Sequence, residues 1–274
     1  MLKPQYTLEI AFLLIVISLS LLAFSSLALG EQAEFTAYHV LHFFTILGWL
    51  LLLLRQLFFI RQRRFDRHRA IGMSIFFAGP VLVAALTLLT VHSAAKEAVA
   101  GQVDDLVVQN VMFALEAALL IFLAFILRHN RKVHGSLLLS TALLFLVIGM
   151  FFTLIAYVPG YRSEGPELLP RFAEAGQMSA LIGSVIGLLF FLKSWRTGWP
   201  WILTSGLILL DGYLQMIVDQ ANRTKSLTML VASIGEAPAF GLSLLLFAVL
   251  LWVAWKVKPA RGVKRRLIAE PIGP

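Results

Sequence analysis

Two acidic residues stand inside long apolar runs, where a charge is hardest to keep. Glu116 lies about nine residues into one run and Asp211 about twelve residues into another. On a helix that crosses lipid, an ionised side chain near mid-depth costs about 2.5–3.5 kcal/mol on insertion scales. Such a group must face protein or a cavity, and burial favours its protonated form. Each carboxylate heads a polar stripe. Asp211, Gln215 and Asp219 recur at i, i+4 and i+8, one face of a helix. Gln109 and Glu116, seven apart, share another face. These spacings point to a proton or ion site built from Glu116, Asp211, Gln215 and Asp219 beside a polar cavity. The alternative is plain interhelical hydrogen bonding, which glues bundles in lipid.

The six histidines are the second source of chemistry. His39, His42 and His92 fall at one set of run ends, and His68, His129 and His134 at the other. His68 and His92 are 24 residues apart, about 36 Å along a helix, which exceeds the roughly 30 Å hydrocarbon core. They cannot share a site. Two layers are conceivable, His42 with His92 and His68 with His134. Haem b takes one or two neutral imidazoles as axial ligands, so these four are the candidate cofactor ligands. A zinc or copper site needs three or four ligands, and His39, His42 and His92 would have to supply them. Interfacial histidines also serve as simple polar anchors, the reading that suits His39 and His129.

The elements that carry these groups follow from composition. Of 274 residues, 59% are hydrophobic and 14% charged, against about half and about a quarter in soluble domains. No globular core of this size hides so much apolar surface, so the solvent is lipid. A soluble enzyme and a nucleic-acid-binding domain are excluded. The absence of cysteine removes disulfides, thiolate metal sites and thiol catalysis. No Walker loop, nucleophile elbow or dinucleotide fingerprint occurs.

The expected fold is all-α, a single polytopic bundle over 1–274 with about eight spans near 7–29, 39–60, 70–91, 107–127, 136–158, 177–193, 199–219 and 239–257. The sixth is the shortest and least defined. Gly-x-x-x-Gly is missing from the clear spans. Gly79-Pro80 should kink the third. The segment Ser226–Val231 reads as a short interfacial amphipathic helix. Residues 1–35 resemble a signal peptide in outline, but the apolar run after Glu9 is longer than the usual h-region, which favours a retained helix.

Charge sets orientation. With both termini cytoplasmic, 18 of the 23 Lys and Arg residues fall on the inner side, as the positive-inside rule requires. The inner turns 61–72, 128–135 and 193–200 and the basic tail 258–274 would meet anionic lipid. Three hairpins share this plan of helix, basic turn and helix, either as a true internal repeat or because any inward turn is basic.

The segment His42-x6-Trp49-x6-Gln56, followed by His68-Arg69-x2-Gly72 and a second basic hairpin ending at His134, resembles a family of uncharacterised bacterial membrane proteins with seven or eight spans. The family pattern is H-x6-W-x6-Q, then HRxxG, then HKRLM. This chain has His134-Gly135-Ser136-Leu137-Leu138 in the last place, without the basic pair. The resemblance covers roughly 39–219 and implies a bacterial inner-membrane location and a helical fold, but no activity. A remoter similarity is to multihelical b-type cytochromes, which also carry histidines on several helices.

Three functions remain open at this stage. The first is a redox or ligand-binding protein holding haem b or contacting quinone. The second is a proton-coupled small-solute transporter. The third is a non-catalytic assembly or sensor subunit. The orientation is directly testable because the chain lacks cysteine. Gln102→Cys should react with a membrane-impermeant maleimide on intact cells, and Arg131→Cys only after lysis. The reverse labelling pattern would invert the orientation.

Overall fold

The computed structural model describes residues 6–29, 36–161 and 168–257. Lys3, Arg162 and the basic tail 258–274 lie outside the described residues. Within them the fold is all-α, with ten helices and no strand. The helices are α1 (Thr7–Leu29), α2 (Ala37–Arg61), α3 (Phe65–Gly72), α4 (Ile75–Val99) and α5 (Val107–Ile126), followed by α6 (Arg131–Tyr157), α7 (Leu168–Lys193), α8 (Trp199–Gln220), α9 (Thr224–Ala232) and α10 (Glu236–Lys256). Eight of these are long and apolar enough to cross a membrane, and the chain is an integral membrane protein.

Local chemistry sets the helix ends. Asn130 Oδ1 accepts from the Val133 N–H and starts α6. Thr36 and His39 cap α2, the hydroxyl and Nδ1 2.8 Å apart. Gly235, at φ 77°, makes the turn into α10, a conformation that glycine adopts without a Cβ penalty.

The third span differs from the sequence reading. The chain from Phe65 to Gly72 forms its own helix, and α4 begins only at Ile75. Gln56 is the reason. With its amide turned to suit both neighbours, Nε2 donates to the His68 carbonyl at 3.0 Å and to His68 Nδ1, and Oε1 accepts from the Gly72 N–H at 3.1 Å. The H-x6-W-x6-Q and HRxxG motifs are therefore two halves of one clasp. Trp49 completes the face by donating from Nε1 to Thr141 Oγ1 at 2.9 Å. Because α4 starts late, Pro80 falls in its second turn and α4 continues through it. Beside it Gly79 packs on α10, where a Cβ would sit in ordinary contact, 3.4 Å from Leu251 Cδ1.

Helices α4 and α6 are the hubs. The first packs on α2, α5, α9 and α10, the second on α1, α2, α5, α7 and α8. Of their spanning windows 61% is buried, against 22% for α7, α8 and α10, so the latter three turn apolar faces such as Leu188, Leu210 and Leu245 to lipid. Helix α7 also corrects the sequence reading on two points. It is 26 residues long, and it carries Gly183-x3-Gly187. A Cβ on Gly183 would stand 2.4 Å from Val147 Cγ2, and one on Gly187 would stand 2.1 Å from Ser205 Oγ. The two glycines let α7 pack close against α6 and α8, as small residues do in membrane bundles.

Most of the basic residues at the helix ends gather at one end of the bundle. Lys193 Nζ meets Glu9 Oε1 at 2.6 Å, joining α7 to α1. Arg128 joins two helix C-termini. Its guanidinium donates to Phe125 O (3.0 Å), Ala254 O (2.9 Å), Trp255 O (2.7 Å) and Val257 O (3.0 Å), and it lies 4.9 Å from the Trp255 ring centroid. A fixed positive fork satisfies orphan carbonyls and complements both dipoles. Arg128→Ala should therefore lower stability by about 2 kcal/mol, read as a reduced melting temperature in detergent. Arg128→Lys should not restore it, because an ammonium cannot span several carbonyls at once.

Candidate functional site

The helices that bear the two carboxylates are neighbours. Glu116, on α5, is 2% exposed. Its carboxyl lies within hydrogen-bonding reach of that of Asp211 on α8. As ionised groups both are acceptors, so no bond joins them until one carries a proton. Among the described residues no N–H or O–H donor reaches Glu116 Oε1, Glu116 Oε2 or Asp211 Oδ1.

One helical turn beyond Asp211 is Gln215. Its Nε2 donates to both oxygens of Asp219, at 3.0 and 2.9 Å. That commits the amide nitrogen outward along α8 and leaves Oε1 buried without a donor. Asp219 also accepts from Thr224 Oγ1 at 2.6 Å, which ties α8 to α9. The i, i+4, i+8 stripe is therefore an ordered chain of contacts whose deep end contains only acceptors.

This stripe lines a cavity of about 620 Å³ among α5, α6, α7 and α8, within the usual range for small-ligand sites. Asp105, Gln109 and Asn110 line it near the start of α5, and Phe113, Phe151, Phe152 and Phe172 supply aromatic walls. Among the described residues no lysine, arginine or histidine lines it. Its exposed lining carboxylates, Asp105 and Asp219, stand at the end of the bundle opposite Lys193, Glu9 and Arg128. There, burial and then the charge of Asp219 push the Asp105 carboxyl above its ordinary value. Burial likewise raises Asp104, against the Leu106 N–H that donates to its Oδ1 at 2.9 Å. The Asp104 backbone N–H donates to Thr228 Oγ1 of α9 at 3.3 Å.

The histidines lie elsewhere. His92 Nδ1 is 2.7 Å from Glu236 Oε1, and Tyr38 stacks on its ring with centroids 4.1 Å apart while donating to Glu236 Oε2 at 2.5 Å. The ring lying edge-on to His92 is that of His39, with centroids 6.4 Å apart. His42, one turn further along α2, has a buried Nδ1 without a partner. At the basic end, His68 sits in the Gln56 clasp and is held below its ordinary pKa by burial and then by nearby His134. His134 Nδ1 is fixed 2.8 Å from the Ala124 carbonyl. Among the described residues no group of three His, Asp or Glu side chains is arranged to hold a metal ion.

Sequence reasoning missed Tyr38 and Glu236, the partners of His92, and the four phenylalanines of the cavity wall. Glu236 opens α10, and nothing in its local pattern marks it out. The phenylalanines come from three helices and look like ordinary packing residues in a chain with 21 of them. Comparison with protein-family models, curated proteins and solved structures gives no match to this chain.

The lowered His68 pKa carries a signed consequence. A histidine less basic when folded than when unfolded gives its full stability above the unfolded value of about 6.5, and loses it as pH falls below that value. The melting temperature in detergent should therefore drop between about pH 7 and about pH 5.5, and His68→Gln should flatten part of that drop. An unchanged slope in the variant would rule His68 out as a contributor.

Proposed function

We propose that this integral membrane protein binds a small solute in the α5–α8 cavity and links that binding to a proton held between Glu116 and Asp211. The observation that carries the reading is the carboxyl pair itself. Glu116 is buried and Asp211 half-buried, no donor among the described residues reaches either Glu116 oxygen or Asp211 Oδ1, and the pair borders a ligand-sized cavity through Asp211. Retaining two acids there at the cost of burying them makes sense where a proton must be taken up and released. Among the described residues the other ionisable groups lining the cavity are Asp105 and Asp219, so no described cation competes for the pair.

The redox reading has less behind it. The cavity includes none of His42, His68, His92 and His134. His92 is engaged by Tyr38 and Glu236, and His68 by Gln56. The basic end of the bundle is read as cytoplasmic, the membrane as a bacterial inner membrane, and the arginine-rich α2–α3 turn as a contact for anionic lipid. The family resemblance adds a fold to this reading and no activity.

The test is flux in proteoliposomes loaded with a pH-sensitive dye and offered a panel of amines, amino acids, sugars and carboxylic acids. The wild-type protein should couple at least one of these to proton movement, and Glu116→Gln and Asp211→Asn should each abolish that coupling. Solute-dependent proton flux unaltered in both variants would sink the proposal.

A further inference from the structure

The chemistry around the cavity selects the charge of its occupant. The deep polar atoms left without partners are all acceptors: both oxygens of Glu116, Asp211 Oδ1 and Gln215 Oε1. Gln215 cannot turn to supply a donor, because its Nε2 is held by both Asp219 oxygens. Further out, Asp105 and Asp219 add negative charge, and among the described residues no basic side chain lines the cavity. An anionic solute would meet the carboxylates with no described cation to offset them, only the neutral amides of Gln109, Asn110 and Gln177, and a neutral apolar one would leave the buried acceptors unsatisfied, which is costly in low dielectric.

The walls narrow the choice further. Phe113 meets Phe145 edge-on with centroids 5.4 Å apart. Phe151 packs edge-on against both Phe152 and Phe172, each at 5.0 Å. Phe113, Phe151, Phe152 and Phe172 all line the cavity. Aromatic faces beside carboxylates attract organic cations through the ring quadrupole. A hydrated inorganic ion gains little from such walls, and the described residues offer no group arranged to ligate a metal.

We propose that the solute is an organic ammonium, a protonated primary or secondary amine carrying an apolar or aromatic body. The ammonium N–H groups satisfy the Asp211 and Gln215 oxygens, the Glu116–Asp211 pair supplies the counter-charge, and the body lies against the phenylalanines. This deepens the solute-binding reading above and rests on the same cavity.

The experiment titrates 1-naphthylmethylamine into the purified full-length protein in detergent by calorimetry, beside 1-naphthalenemethanol, 1-naphthoate and the N-trimethylated amine. The amine should bind at least about tenfold tighter than the alcohol, the margin of a charge-assisted over a neutral hydrogen bond. Naphthoate should not bind, and the trimethylated cation, which has no N–H, should bind more weakly than the amine. Asp211→Asn should erase the preference for amine over alcohol. In case that variant misfolds, Phe151→Leu keeps an apolar wall and should weaken the amine about threefold to fivefold while leaving the alcohol nearly unaffected.

Equal binding of amine and alcohol, or tighter binding of naphthoate, would overturn the inference. If the amine binds as expected but proton-linked flux is unaltered in both carboxylate variants, the ligand class stands and the coupling falls. If proton-linked flux is found only with a neutral or anionic solute, the coupling stands and the ammonium falls.

Discussion

An oxygen acceptor buried in lipid has few ways to be satisfied. Water is absent, the backbone N–H groups of a helix are already used, and a lone carboxylate must find a proton, a cation or a donor side chain. Much of the α5–α8 half of this bundle reads as a response to that constraint. Helices α5 and α8 must lie together so that Glu116 and Asp211 can share whatever resolves their charge. Gln215 turns its donors to Asp219, and Thr224 adds another, so the outer carboxylate is satisfied and the inner pair is not. The difference between a completed outer network and an incomplete inner one is what separates a structural stripe from a candidate site.

The opposite end of the bundle solves its polar problem internally. Gln56 closes on His68 and Gly72, His134 on Ala124, and Arg128 on the carbonyls that end α5 and α10. These groups act mainly on one another and on the backbone. A positive charge fixed by several carbonyls is a staple, and it differs in kind from a carboxylate that faces open volume. The contrast explains why the charge-rich end supplies rigidity while the charge-poor cavity carries the functional argument.

The general class of this protein was legible from composition, because the apolar fraction leaves only lipid as solvent. The carboxylates were legible for the same reason: an acid in an apolar run must face protein or a cavity and not lipid. Their pairing was not, because spacing along α5 and along α8 says which face each residue occupies and nothing about which helices adjoin. The separation of α3 from α4 was hidden as well, since it depends on Gln56, a residue reached across a turn. Gly183 and Gly187 lie inside span six as drawn, but that span was set aside as ill-defined and the role of the two glycines rests on the closeness of α6 and α8, just as the edge-on seat of His39 against His92 rests on the approach of α2 to α4. In each case the missing quantity was a distance between elements, which local pattern does not encode.

The close seat of α7 on Gly183 and Gly187 has a bearing on how the cavity behaves. On one side Gly183 and Gly187 seat α7 directly on side chains of α6 and α8, and on the other Val185, Leu188 and Leu192 face outward. Phe172, Gly176 and Gln177, on the same helix, line the cavity. The partition between the binding volume and the bilayer is thus a single helix thick there. Acyl-chain length and lateral pressure bear directly on that partition, so lipid composition belongs among the variables that set the site's volume. A molecule already dissolved in the membrane lies one helix diameter from the carboxylates.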